Sequence, residues 1–413
     1  MVRKGWKQVT LGDIALFQGG SQPPLSFFSS QKKAGYIRLV QIRDYKTDKY
    51  ATYIPEKLAK RFCKQNDIMI GRYGPPIFQI LRGIEGAYNV ALIKALPQGV
   101  DKEFLYHTLK REDLFEYIDL LSRRTSGQTG VDLTNLKAFE LSIPALTDEQ
   151  AAIAKALSDV DSLTSSLQKL IEKKKAIKQG AMQELLTGKK RLPGFYGEWK
   201  REQLPELLQE QNGIKIGPFG SQLKKEYLID IGEFKVYGQE NVYEKDFRLG
   251  TRYISKERYL KLKSCELLPG DFVISSMGTV GKCAIVPQNI QIGIMDSHLI
   301  RLKFNCKKII PQYMLQLFSD EFDFLRNQIE KLSVGGIMDG LSTKIVQSLN
   351  VFYPVNIDEQ KAICAILNDM DGEIAQLEKK LAKYQQIKQG MMQELLTGRI
   401  RLIGTDRGDI SEV

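Results

Sequence analysis

The chain has little of what builds metal, redox or nucleophilic sites. Its 413 residues include two histidines, His107 and His298, and five cysteines. The cysteines (Cys63, Cys265, Cys283, Cys306, Cys364) are odd in number and form no Cys-x-x-Cys pair. Neither a disulfide framework nor a zinc ribbon is indicated, and a reducing compartment fits. The histidines lie far apart without a paired nucleophile, so a Ser-His-Asp or Cys-His site and a metal cluster are both unsupported. Long apolar runs are also missing: nothing approaches the roughly 18 residues of a membrane span, and Met1-Val-Arg-Lys-Gly-Trp6 has no apolar segment behind its charges. The expectation is a cytoplasmic protein with no membrane partner.

Two motifs fall short of the chemistry they approach. In Gly278-Thr-Val-Gly-Lys282, Ser276 stands where a phosphate loop requires glycine, and Cys283 where serine or threonine must follow the lysine. In Arg72-Tyr-Gly-Pro-Pro76, Gly74 replaces the polar residue with which an amino-methyltransferase motif holds its target amine, and Ile77 replaces the aromatic. No S-adenosylmethionine glycine loop precedes it.

What is present is an ordinary globular composition, 43% hydrophobic and 26% charged, in a chain long enough for more than one core. Lysine and arginine outnumber aspartate and glutamate by 60 to 49, a net +11 that suits a phosphate backbone.

The dominant feature is an internal repeat. Asp148-Glu-Gln150 through Thr187-Gly188 and Arg191-Leu192 recurs as Asp358-Glu-Gln360 through Thr397-Gly398 and Arg401-Leu402. About half of the paired positions are identical. Apolar residues spaced three and four apart (Ile153, Ala156, Val160, Leu163, Leu167, Leu170, Ile177, Ala181, Leu185) predict a helix, as do Ile363, Ile366, Met370, Ile374, Leu377, Leu381, Tyr384, Ile387, Met391 and Leu395 in the twin. Thr147-x-x-Gln150 has the form of a capping box, and Gly188 and Gly398 stand where a helix-ending glycine belongs. A helix of about 40 residues is roughly 58 Å long, too long for the inside of one small domain, so the two are expected to pair as an antiparallel coiled coil.

The intervening modules repeat more loosely. Trp6 and Trp199 open them; Asp67–Gly74 parallels Asp271–Gly278, Leu92–Lys94 parallels Leu299–Arg301, and Leu141–Pro144 parallels Val351–Pro354. Short β-rich runs such as Tyr36–Val40 and Asp271–Ile274, punctuated by Gly, Pro and Ser, with helices such as Glu103 to Asp119, predict an α+β fold.

This alternation, with Pro144 to Gln150 and Pro354 to Gln360 leading into the helices and Gln-Glu-Leu-Leu-Thr-Gly closing both, resembles the DNA-specificity subunit of Type I restriction-modification systems from Trp6 to Leu402. The resemblance implies two α/β target-recognition domains (1–146 and 193–356), two spacer helices (147–192 and 357–402) and a tail (403–413) expected to fray, in a pseudo-twofold tandem duplication. It implies a non-catalytic chain that binds double-stranded DNA, each domain reading half of a gapped site. Two modification (methyltransferase) subunits dock on the helices, and ATP-driven restriction subunits join. S-adenosylmethionine, ATP and Mg are expected on those partners and none on this chain. A spacer of order 50 Å matches roughly one and a half turns of DNA at about 34 Å per turn.

Phosphate contacts call for Lys, Arg or backbone amides; base edges call for Arg or Lys at guanine and Asn or Gln at adenine. In glycine-rich loops these types select Gln22, Arg38, Gln41, Arg43, Arg72, Tyr73, Asn89 and Gln128 in the first module. In the second they select Lys215, Ser221, Lys224, Gln239, Asn241, Lys282 and His298. Near the helix ends, Met182, Leu186, Met391, Met392 and Leu396 are candidate anchors for partner subunits. The competing readings are a stand-alone DNA-modifying enzyme, which needs motifs the chain lacks, and a coiled-coil scaffold without DNA affinity. An RNA-binding reading lacks the Lys/Arg-Gly-Phe/Tyr strand of an RNA-recognition motif.

Overall fold

Two 39-residue helices, Thr147–Leu185 and Ile357–Leu395, organise the chain. The structure, a computed structural model, describes residues 4–124, 130–211, 213–333 and 340–402. It divides into two units: the chain up to Gln168 with the segment from Lys379 onward, and Lys169–Glu378. Each unit therefore holds the first half of one long helix and the second half of the other.

Within each unit the helices cross-pair antiparallel through matched ion pairs. Lys388 meets Asp161 in the first, and Lys178 meets Asp371 at 2.5 Å in the second. These are the same two repeat positions with helices exchanged. The seam follows the stripe expected from sequence at Ile153, Leu167, Leu185, Ile363, Ile374 and Leu395, which are buried, and departs from it at three positions of the first helix. Leu163, Leu170 and Ile177 are exposed, whereas Leu157, Thr164, Ile171 and Lys178 are buried. Thr164 hides its hydroxyl by bonding Val160 O at 3.0 Å, and Lys178 buries its stem while its ammonium reaches Asp371 and Glu321, so polar residues occupy places that an apolar pattern passes over.

The conserved ends of the repeat lock each helix start to the other helix's exit. Gly188 and Gly398 adopt φ +67° and +68°, the left-handed conformation that terminates a helix. An added Cβ on Gly398 would lie 2.7 Å from the Trp6 ring. Three residues beyond, Arg401 grips the fully buried Glu149 at 2.9 and 2.6 Å, and Arg191 grips Glu359 at 2.6 and 2.7 Å. Gln150 does not close a capping box with Thr147. Its buried amide instead donates to Pro144 O and accepts from Asp101 N, both at 2.9 Å, and Gln360 does the same with Pro354 O and Ile310 N. The Glu-Gln pair is thus a staple between helix, ribbon and module.

In the first unit a two-stranded ribbon (Trp6–Thr10 with Glu140–Pro144) adjoins a four-stranded antiparallel sheet ordered Ala15–Gly19, Leu92–Pro97, Ile68–Gly71, Gln79–Leu81. A second sheet runs Tyr53–Pro55, Tyr36–Val40, Gly86–Tyr88, Phe62–Cys63, with its middle pair parallel. The second unit repeats the plan. It has a ribbon (Trp199–Gln203 with Asn350–Pro354), a sheet ordered Ile214–Ile216, Leu299–Leu302, Phe272–Ser275, Cys283–Ile285, and a three-stranded sheet centred on Phe234–Tyr237. Asp67 pairs with Lys94 across its sheet at 2.5 Å, and Asp271 with Arg301 at 4.0 Å, at equivalent places.

The helix expected over Glu103 to Asp119 is two, Lys102–Leu109 and Glu112–Arg124. The break falls at Lys110 and Arg111, where Asp113 accepts Leu114 N at 2.9 Å and Arg111 reaches Leu396 O at 3.3 Å. The turn is set by a tertiary bond that local sequence does not announce.

Candidate nucleic-acid interface

In each unit three segments converge on one end of the module through backbone hydrogen bonds. In the first, Asn89 N donates to Val40 O (3.2 Å), Arg72 N to Ala91 O (2.8 Å) and Gly20 N to Leu92 O (3.0 Å). In the second, Asp296 N donates to Tyr237 O, Ser276 N to His298 O (both 2.8 Å) and Gly217 N to Leu299 O (3.0 Å). The approach requires glycine: a Cβ on Gly20 would sit 1.9 Å from Asn89 O, and one on Gly217 1.7 Å from Asp296 O. Two modules of different sequence therefore share one tip, built from a turn after a strand, a tight turn at Asn89 or Asp296, and a hairpin loop.

The tip of the first module gathers Gln41, Arg43, Arg72, Tyr73 and Asn89. Gln41 and Arg43 both donate to Thr52 Oγ1, at 3.1 and 3.2 Å, which presents them side by side. Arg72 lies 5.5 Å from the Tyr73 ring, which packs against Gly130. Asn89 is buried, and its side chain accepts Ala91 N at 3.2 Å. Its Oδ1 thus shapes the turn, while no hydrogen bond among the described residues engages its Nδ2. Gln22 is exposed in the loop beyond Gly20. Arg38 is held by Asp48 at 2.7 Å and Asp44 at 3.6 Å, outside the Gln41–Thr52 cluster. Burial pushes the Asp44 carboxyl above its ordinary value, against the Gln41 N–H and the nearby guanidiniums. Gln128 lies outside the described residues.

In the second module Gln239 accepts from the Tyr243 hydroxyl at 3.1 Å, which itself accepts Thr279 N at 3.0 Å and so ties the turn to the hairpin loop. His298 is partly exposed, and its backbone N–H donates to Asp296 Oδ1 at 2.9 Å. Lys282 is ion-paired with Asp320. Ser221 and Lys224 are exposed in a separate loop, and Lys215 stays in the sheet opposite Arg301. Asn241 is corrected: it is fully buried, accepting Gly238 N at 2.9 Å and donating to Asp246 O and Leu249 O at 3.0 and 2.9 Å, so none of its amide is left for a base.

Three residues central to the tips were not singled out in the sequence: Thr52, Glu240 and Arg252. Arg252 binds Glu240 at 2.7 Å and Asp296 at 3.0 Å. Thr52 and Arg252 each stand immediately before a strand (Tyr53–Pro55, Tyr253–Ile254), with no motif around them. Glu240 stands between Gln239 and Asn241, and as a carboxylate it lies outside the cation and amide types that mark contact residues in a sequence.

Of the partner-anchor candidates, Met182 and Leu186 are buried in the core of the second unit and Leu396 in that of the first, which leaves these three without surface for another chain. Met391 and Met392 are partly buried against the first core and keep part of their surface.

Among the described residues no group of three or more His, Cys, Asp or Glu is placed to hold a metal, and no helix is long and apolar enough to cross a membrane. His107 is fully buried, its Nε2 3.0 Å from Ser158 Oγ.

Residues 3–179 and 215–389 each match the Type I restriction modification DNA specificity domain. The chain belongs to that family: it is a type I specificity subunit carrying the DNA-recognition domain twice. It is 26% identical to the Type I restriction enzyme MjaVIII specificity subunit of Methanocaldococcus jannaschii, over 97% of this chain and 94% of that one. It is 21% identical to the EcoBI specificity subunit of Escherichia coli, over 76% and 69%. The fold is that of the S subunit of a Type I restriction-modification system from M. genitalium, with TM-score 0.59, 17% identity and 96% of each chain covered.

Proposed function

We propose that each recognition domain reads one half of a gapped double-stranded DNA site with the tip described above, and that the long helices fix the gap. The observation that carries this reading is the shared tip itself: the backbone bonds are the same in both modules while the side chains they present differ, as expected of two readers of two targets. In this reading the chain does no chemistry. Two modification subunits and the restriction subunits supply it, with S-adenosylmethionine, ATP and Mg. In the second unit the exposed residues Leu170 and Ile177, seven positions apart on one helix face, offer a docking surface for such a subunit.

The test is binding by the complex of this chain with its modification subunits. Footprinting is expected to give two protected patches separated by an unprotected gap. Arg43→Ala is expected to weaken binding about ten-fold at a cognate site through loss of one base contact, leaving the second patch intact. A single continuous footprint, or unchanged affinity and sequence preference in Arg43→Ala, contradicts the proposal.

A further inference from the structure

The two tips carry opposite charges at one and the same position. In both modules a strand (Tyr36–Val40, Phe234–Tyr237) runs parallel to its neighbour and ends in a turn. Asp44 closes that turn by accepting Gln41 N at 3.1 Å, and Asn241 closes it by accepting Gly238 N at 2.9 Å. Counting from these bonds, Arg43 and Glu240 are the same residue of the turn. Their supports correspond as well: Leu39 N donates to Thr52 O and Val236 N to Arg252 O, both at 2.8 Å. Arg43 rests on Thr52, and Glu240 rests on Arg252.

We infer that Glu240 is a base-reading acceptor of the second module, taking a hydrogen bond from the exocyclic amino group of a cytosine where Arg43 of the first module donates to a guanine. The inference rests on the half-site reading above.

Three features carry it. Glu240 is oriented: Oε1 accepts from Arg252 Nη2 at 2.7 Å, while Oε2 has no hydrogen-bond partner among the described residues. The side chain remains 42% exposed. The carboxylate is not needed to neutralise Arg252, because the buried Asp296 already pairs with that guanidinium at 3.0 Å. One cation between two carboxylates leaves the cluster net negative. Such a cluster repels phosphate, so on a DNA-facing tip its productive neighbour is a hydrogen-bond donor on a base edge. In the major groove a carboxylate pairs with the N4 amino group of cytosine. Arg252 is then a positioning residue whose planar fork holds Glu240 on one side and Asp296 on the other.

The experiment uses this chain in complex with its modification subunits. Affinity is measured for duplexes carrying every single base-pair change in the second half-site, for the parent and for Glu240→Gln, at several salt concentrations. At one position the parent is expected to prefer cytosine. Glu240→Gln is expected to lose about ten-fold of that preference and shift toward adenine, which glutamine can pair bidentately. The first half-site and the salt slope stay unchanged, and Arg252→Lys relaxes the same position. A uniform rise in affinity for all sequences would show that Glu240 only masks Arg252 and overturns the inference, as does an unaltered preference. A parent complex with no sequence preference in the second half-site would instead overturn the reading on which the inference rests.

Discussion

Arg401→Ala is expected to destabilise the first unit by roughly 3 kcal/mol or more, the cost of leaving a buried charge without its partner. Arg401 and Glu149 lie 252 positions apart in the chain, and the Glu149 side chain is fully buried while that of Arg401 is 23% exposed. Removing the guanidinium strands the carboxylate and also frees the Lys4 carbonyl, which accepts from Arg401 Nη1 at 2.7 Å. Arg401→Lys is expected to restore only part of the loss, since an ammonium cannot make both parallel bonds. Denaturant unfolding followed by hydrogen exchange should show early opening confined to the module and the helix halves of the first unit, with the Arg191 and Glu359 pair of the second unaffected. Loss of less than 1 kcal/mol, or equal opening of both units, would remove the Glu-Arg pair from its place as the closure of the fold.

Mild acid is expected to act on the first unit through His107. This imidazole is fully buried, and burial lowers its pKa from 6.5 to about 4, with Asp161 opposing the shift and Lys110 and Lys388 adding to it. Glu103 on its own helix opposes the shift as well. The unfolded chain therefore takes up a proton below pH 6.5 that the folded chain refuses until about pH 4. The stability contributed by the neutral ring is complete above pH 6.5, declines as pH falls through that window, and amounts to about 3 kcal/mol. In the second unit the corresponding contact is Gln316 Nε2 to Asn368 Oδ1 at 3.1 Å, a pair that does not titrate. His107→Gln should flatten the acid dependence of the first unit relative to the parent, measured as the difference between their unfolding free energies from pH 7 to pH 4. Parallel curves would show that His107 does not set the dependence.

The helices and their ends were legible because they follow from local chemistry: a 3.6-residue period, and a glycine where φ must be positive. The repeat made the duplication plain, and the Glu-Gln and Arg-Leu runs were visible as motifs. Their purpose was not, since Glu149 meets Arg401 only after the chain closes on itself. Part of the first helix's seam departs from the apolar pattern for a related reason. Lys178 and Thr164 are buried through partners on other elements, and periodicity weighs only their polarity. At the tips, residue type alone led to Asn89 and Asn241, whose amides shape turns, and past Glu240, whose orientation depends on Arg252 twelve residues away. Met182, Leu186 and Leu396 look exposed in a helix end taken alone, whereas the modules fold over them.

In the proposed reading the two modules of this chain choose the sequence on which modification subunits act. The most direct measurement is to co-express the chain with its modification subunits and map adenine methylation across a genome by single-molecule sequencing. A gapped, two-part motif that disappears without this chain, and in which exchange of one module alters one half only, is the expected result. A continuous motif, or methylation that persists unchanged without the chain, would contradict it.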